Sequence, residues 1–232
     1  LPRHAAHIRR AALNTFADPL NHAVLVGADR TATVCGDVRH TFRELWTRCR
    51  QLGGLLDRLG IERGERVAIW ADNSHQYLEV YAAVPAHGRT VVPLNTRHAE
   101  PELVYALNDS GARILLTDRD PGKLADCVEH VIQIPDEFES LLAESEEVEL
   151  GMGVVESDLA GLFYTGGTTG ASKGVMLTHR NLIANTFHWM SLIPHQSSDS
   201  MLVMAPLFHA AGSNAVLANI WTTGKQVMLP VF

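Results

Sequence analysis

Leu159-Ala-Gly-Leu-Phe-Tyr-Thr-Gly-Gly-Thr-Thr-Gly-Ala-Ser-Lys-Gly-Val-Met-Leu177 decides how the rest of the chain is read. Two apolar runs, Leu159–Phe163 and Val175–Leu177, flank a turn made almost wholly of glycine and threonine. Glycines reach backbone dihedrals that other residues avoid, so successive N–H groups can converge on one anion. Threonine hydroxyls and the Lys173 ammonium add donors without adding acidic repulsion. On composition alone, an ordinary flexible hairpin loop competes with this phosphate-cradle reading. A Walker A loop does not fit: Ser172 stands before the lysine where that pattern needs glycine, and Gly174 follows it where a magnesium-binding hydroxyl is needed.

The stretch Tyr164–Val175, followed by Leu177-Thr-His-Arg-Asn-Leu182, resembles the phosphate-binding signature of the adenylate-forming (AMP-binding) superfamily. That superfamily includes acyl-CoA synthetases, luciferases and nonribosomal peptide adenylation domains, and its pattern runs roughly [YF]-T-S-G-T-T-G-x-P-K-G-V. Two positions depart from it. Gly166 stands where serine is usual, which removes a hydroxyl, and Ser172 stands where proline is usual, which loosens the turn before Lys173. Other segments resemble the family in matching order: Thr41-Phe-Arg-Glu44, Pro93-Leu-Asn-Thr-Arg97, Asn108-Asp-Ser-Gly-Ala-Arg113 and Pro206-Leu-Phe-His-Ala-Ala-Gly212.

Bulk properties bound the remaining options. A chain of 232 residues, 46% hydrophobic and 19% charged, has a globular composition and length enough for one large domain or two small ones. A net charge of −7 without a Lys/Arg cluster argues against a nucleic-acid partner. Cys35, Cys49 and Cys127 are too few and too scattered for a disulfide framework or a zinc site, and read as buried thiols in a reducing compartment. No apolar run approaches the ~18 residues of a spanning helix, so the expectation is a cytoplasmic protein, with peripheral membrane contact left open.

From Arg66 onward apolar strands alternate with helical periods: strands at 66–70, 90–93, 113–117 and 131–134, helices at 74–87, 100–108 and 123–128. The spacing predicts an α/β fold of doubly wound, mainly parallel sheets with helices on both faces. Upstream, Ala23–Leu25 and Thr33–Cys35 read as a hairpin, and Thr41 with Glu44 as a capping box opening a helix that Gly60 stops. Asp136–Asp158 holds nine acidic residues and no basic one, and reads as a solvated helix-and-linker face. Helices are expected over 180–189 and 213–221, strands over 201–205 and 226–229, with His188, Trp189 and Met190 read as core packing in preference to lining an acyl site.

The resemblance implies more than these patterns do. It implies one αβ subdomain over approximately 66–200 and part of a second from 11–60 plus 201–232. It also implies that the chain is the N-terminal part of a longer enzyme, inactive alone and with apolar surface uncovered near 201–232. The implied reaction is ATP-dependent ligation of a carboxylic acid, expected to be fatty or otherwise hydrophobic, to coenzyme A through an acyl-adenylate. Thr165, Gly166, Gly167, Thr168, Thr169, Gly170 and Lys173 would hold the ATP phosphates. Phe208, His209 and Gly212 would shape the substrate pocket, with His209 positioning the substrate. No residue is a direct metal ligand, although Thr165 or Thr168 would lie near Mg2+ on ATP. Loading of a carrier protein instead of CoA, a non-catalytic nucleotide-binding module and a homodimer remain open.

Overall fold

The computed structural model describes residues 14–165 and 172–229. Its first element is helix α1 (Ala17–Gly27), followed by the strands β1 (Thr31–Cys35) and β2 (Val38–Thr41). The expected hairpin of Ala23–Leu25 with Thr33–Cys35 is therefore misplaced: Ala23–Leu25 belongs to α1, and β1 pairs with β2 instead. The reason lies in the spacing of the buried residues. Phe16, Leu20 and Ala23 repeat at helical intervals, while Gly36, at φ +57°, supplies the real turn.

Thr41 ends β2 and caps α2 (Phe42–Arg58) in the expected box: its hydroxyl accepts from the Glu44 N–H at 3.2 Å, and the Glu44 carboxylate accepts from the Thr41 N–H at 2.6 Å. Gly60, at φ +69°, follows the helix. Then come β3 (Arg66–Trp70), α3 (His75–Ala86), β4 (Thr90–Pro93), α4 (Glu100–Ser110) and β5 (Ala112–Thr117). The segment expected as a helix near 123–128 is a 3₁₀ turn, Gly122–Cys127, leading into β6 (His130–Gln133). The chain continues through α5 (Asp136–Ala143), β7 (Leu159–Thr165), β8 (Lys173–Thr178), α6 (His179–Leu192), β9 (Ser200–Val203), α7 (Ala210–Thr222) and β10 (Lys225–Met228).

The strands form two sheets. Six strands run in the order β6-β5-β3-β4-β7-β8, parallel except for β8 at one edge, and four run in the order β2-β1-β10-β9. Alternation along the parallel strands explains why helices cover both faces of the larger sheet. Val67, Ile69, Val91, Ile114 and Leu116 point into the main core, while Ala68, Val92 and Leu115 point into a second one with Leu103, Leu107 and Leu124. Helix α3 is buried on every side, the pattern of a helix enclosed by protein. It packs against β3, β4 and β7 of one sheet and β1 of the other.

Three further expectations need amendment. The acidic stretch is not simply a solvated face: Glu139 pairs with Arg48 at 2.9 Å and Glu147 with Arg50 at 2.5 Å, both arginines of α2, and Asp158 pairs with Arg63 at 3.1 Å. Of the cysteines only Cys49 is buried, whereas Cys35 and Cys127 are half-buried. Helix α6 buries Leu182, Ile183 and Thr186, which leaves His188 exposed and Trp189 and Met190 half-buried rather than in the core. The expectation of uncovered apolar surface near 201–232 agrees with Leu202, Met204 and Leu229, all exposed.

Candidate functional site

In a doubly wound sheet, ligands gather outside the carboxyl ends of the strands where successive connections depart in opposite directions. Here β4 lies on one side of β3 and β5 on the other, so that point falls between β3 and β4. A cleft of about 460 Å³ opens there, within the size range of small-molecule sites. Ala71, Asp72 and Asn73 line it from the end of β3, and Thr96 and Arg97 from beyond β4. The smaller sheet supplies the facing wall: Met204, Ala205, Pro206 and Phe208 after β9, and Leu229 after β10. One wall is thus mostly polar and the other mostly apolar.

The opening sequence stretch reaches the same end of the sheet. Strand β7 runs parallel to β4, so Thr165 lies at its carboxyl end, and antiparallel pairing sets Thr165 opposite Lys173. Gly166, Gly167, Thr168, Thr169 and Gly170 lie outside the described residues. Ser172, the first described residue after them, donates its hydroxyl to the Thr165 carbonyl at 2.6 Å. Proline at this position could not make that bond, so the departure at Ser172 brings a replacement constraint of its own. Lys173 is exposed. Beside it, the Tyr164 hydroxyl donates to the Asp109 carboxylate at 2.7 Å, and its ring meets Tyr105 edge-on at 6.4 Å. Burial, together with that hydrogen bond, raises the Tyr164 pKa above the ordinary tyrosine value, so the phenol stays protonated and tethers β7 to α4.

The residues expected in the substrate pocket divide. Phe208, only 8% exposed, stands in the cleft wall. His209 is exposed at the N-cap of α7 and does not line the cleft; its ring packs on Phe208 at 4.8 Å. Gly212 lies beneath the turn, where a Cβ would come within 2.6 Å of the Pro206 carbonyl oxygen. Glycine there lets α7 start directly against the chain that shapes the cleft. Thr96 and Arg97 end the Pro93–Arg97 segment already noted for its resemblance, though without a role there, while Asp72 and Asn73 were not singled out from the sequence. The order of strands and helices is the signal that could have found them, since it fixes where the sheet's winding reverses.

Behind the cleft, the first turn of α3 is held by a buried charge network. Glu79, 1% exposed, accepts from Arg48 at 2.8 and 3.0 Å and from His75 Nδ1 at 3.0 Å. Burial alone would raise its pKa, but the hydrogen bonds from His75 and Arg48 outweigh that and hold it below the ordinary glutamate value. His40 lies 3.7 Å from the same carboxylate. Ligand atoms of His40, His75 and Glu79 fall within 4.8 Å of one another, a grouping that sequence spacing did not reveal. The Arg48 guanidinium already engages both Glu79 oxygens, so the cluster is an ion-pair anchor rather than a cation cage.

Comparison with known proteins agrees with this geometry. Residues 20–232 match the family described as AMP-binding enzyme. A feruloyl-CoA synthase from Amycolatopsis sp is 33% identical over 224 residues, covering 96% of this chain and 42% of the relative. A long-chain-fatty-acid–CoA ligase, FadD13, of Mycobacterium tuberculosis is 28% identical over 209 residues, covering 84% of this chain and 41% of the relative. Among solved structures, the N-terminal domain of FACL13 from M. tuberculosis superposes with a TM-score of 0.87 at 25% identity, covering 94% of this chain and 57% of that one. The chain therefore spans less than half the length of these curated relatives. No helix among the described residues is long and apolar enough to cross a membrane. Motifs in order, a doubly wound sheet and a cleft at its switch point all coincide with the match: the chain belongs to the AMP-binding enzyme family.

Proposed function

We propose that this chain carries the phosphate-binding and acid-binding walls of an ATP-dependent acid–CoA ligase. A carboxylate oxygen attacks the α-phosphorus of ATP and pyrophosphate leaves, giving an acyl-adenylate. The sulfur of CoA then attacks the acyl carbon and AMP leaves. The observation that carries this reading is convergence: Thr165 and Lys173 lie at the same end of the sheet as the cleft.

The first half-reaction brings two anions together, so it depends on offsetting charge and on positioning rather than on a protein nucleophile. Lys173 supplies a cation beside the turn. Thr165, Thr168 and Thr169, with the backbone N–H groups at Gly166, Gly167 and Gly170, supply donors for the β- and γ-phosphates. Mg2+ enters with ATP as part of the substrate, with the hydroxyls of Thr165 and Thr168 near it. On the acid side, Phe208 and Gly212 shape the wall, and His209 positions the substrate through Phe208, on which its ring packs. Ala71, Met204, Ala205, Pro206, Phe208 and Leu229 favour a hydrophobic acid, fatty or aromatic. The test uses the full-length protein carrying this chain, with ATP, CoA and carboxylic acids of graded length and aromaticity, and follows AMP release. Hydrophobic acids are expected to support release only when CoA is present. Release supported by no acid, or release independent of acid, overturns the reading.

A further inference from the structure

Asn73 lies between β3 and α3, outside every motif the sequence offered, yet its side chain joins the two walls of the cleft. Its carboxamide is buried and makes three hydrogen bonds across the two sheets. Nδ2 donates to the Ala205 carbonyl at 3.0 Å and to the Val203 carbonyl at 3.4 Å, and Oδ1 accepts from the Leu207 N–H at 2.9 Å. The partners fix which way the amide faces: two carbonyls require the NH2 end and one N–H requires the oxygen.

The segment it grips is irregular. Residues 204–209 connect β9 to α7, and Pro206 has no N–H to give a ladder. Buried backbone groups need partners, and here a side chain from the opposite sheet supplies them. The next residue along, Phe208, stands in the cleft wall, while Asn73 lines the cleft itself. Ser74, immediately after Asn73, caps α3 by accepting from the Tyr77 N–H at 3.1 Å, and His75 and Glu79 tie that helix to Arg48. The clamp is therefore anchored at its own base.

We infer that Asn73 is a positioning residue that locks the Pro206–His209 turn to the end of β3 and so sets the acid-side wall of the cleft. This rests on the acid–CoA ligase reading. Strands β7 and β8, which carry Thr165 and Lys173, make none of these three bonds. Loss of the clamp should therefore separate acid binding from nucleotide binding.

Two variants of the full-length protein test this. Asn73→Ala removes all three bonds, and Asn73→Asp keeps the acceptor for Leu207 while turning an oxygen towards the two carbonyls. Backbone amide exchange at Leu207 should quicken about tenfold in Asn73→Ala and stay near wild type in Asn73→Asp. In both, the KM for the acid should rise about tenfold while the KM for ATP stays within about twofold. Unchanged Leu207 exchange in Asn73→Ala overturns the inference, as do equal changes in both KM values or a fall in kcat alone. Should Asn73→Ala fail to fold, the KM split in Asn73→Asp decides. Should wild type release no AMP with any acid, the ligase reading fails, and Leu207 exchange alone decides the clamp.

Discussion

His179 opens α6 directly after β8 and is fully buried. Its Nδ1 accepts from the Phe16 N–H at 3.2 Å, and its ring meets Phe16 edge-on at 5.4 Å. With Nδ1 accepting, the ring proton sits on Nε2, and a second proton would need the lone pair that Phe16 already uses. Burial pushes the His179 pKa down from 6.5 to about 4, outweighing the upward pull of Asp158. Above pH 6.5 the side chain is neutral in both the folded and unfolded states, and stability is full. As pH falls from 6.5 to 4, the unfolded chain takes a proton that the native state refuses. Stability then drops by about 1.4 kcal/mol per pH unit, about 3 kcal/mol in all. His40 and His87 are also lowered, chiefly by burial, so the whole protein loses more than this one share. The comparison of wild type with His179→Gln, which cannot titrate but can still accept from Phe16, isolates it. Urea unfolding at steps between pH 7.5 and 4 should show a shallower fall in the variant, by about one proton. Equal slopes, or an imidazole titration of His179 near 6.5, would refute the reasoning.

Three further outcomes follow from single contacts. Glu79→Gln leaves the Arg48 guanidinium without its bidentate carboxylate in a buried setting and should cost about 3 kcal/mol, read as a lowered urea midpoint. Gly212→Ala places a methyl 2.6 Å from the Pro206 carbonyl, so the turn must shift; a loss of about 1–3 kcal/mol with a raised acid KM is expected, measured by unfolding and by AMP release. Thr41→Ala removes the cap of α2 far from the cleft and should cost about 1 kcal/mol with unchanged kinetics, which a changed acid KM would contradict.

Most of the larger sheet was legible in the sequence because its strands are short apolar runs between helices with clear caps. Arg66–Trp70 and Thr90–Pro93 were placed to the residue, and Thr41 with Glu44 announced α2. What sequence misread was local ambiguity settled by packing. Ala23–Leu25 carries no mark separating strand from helix, and only the burial of Leu20 and Ala23 against the core decides it. The acidic strip is largely exposed, as read, but its arginine partners on α2, nearly a hundred residues away, left no mark in the local sequence. The site was half legible. Of the Pro206–Gly212 segment, Pro206 and Phe208 line the cleft, whereas the glycine-threonine cluster Gly166–Gly170 lies outside the described residues. Asn73 gave no local signal, because its role exists only once two sheets bring residues 73 and 205 together.

On this proposal, the stretch between Thr165 and Lys173 holds the phosphates of ATP beside an acid-binding cleft. Acid-dependent exchange of pyrophosphate into ATP by the full-length protein, without CoA, tests it most directly, with Lys173→Ala as the comparison. Exchange should appear only when a hydrophobic acid is added and should fall about a hundredfold in the variant, as the loss of a charge-stabilising group would give. Exchange that ignores the acid, or that survives intact in Lys173→Ala, would contradict it.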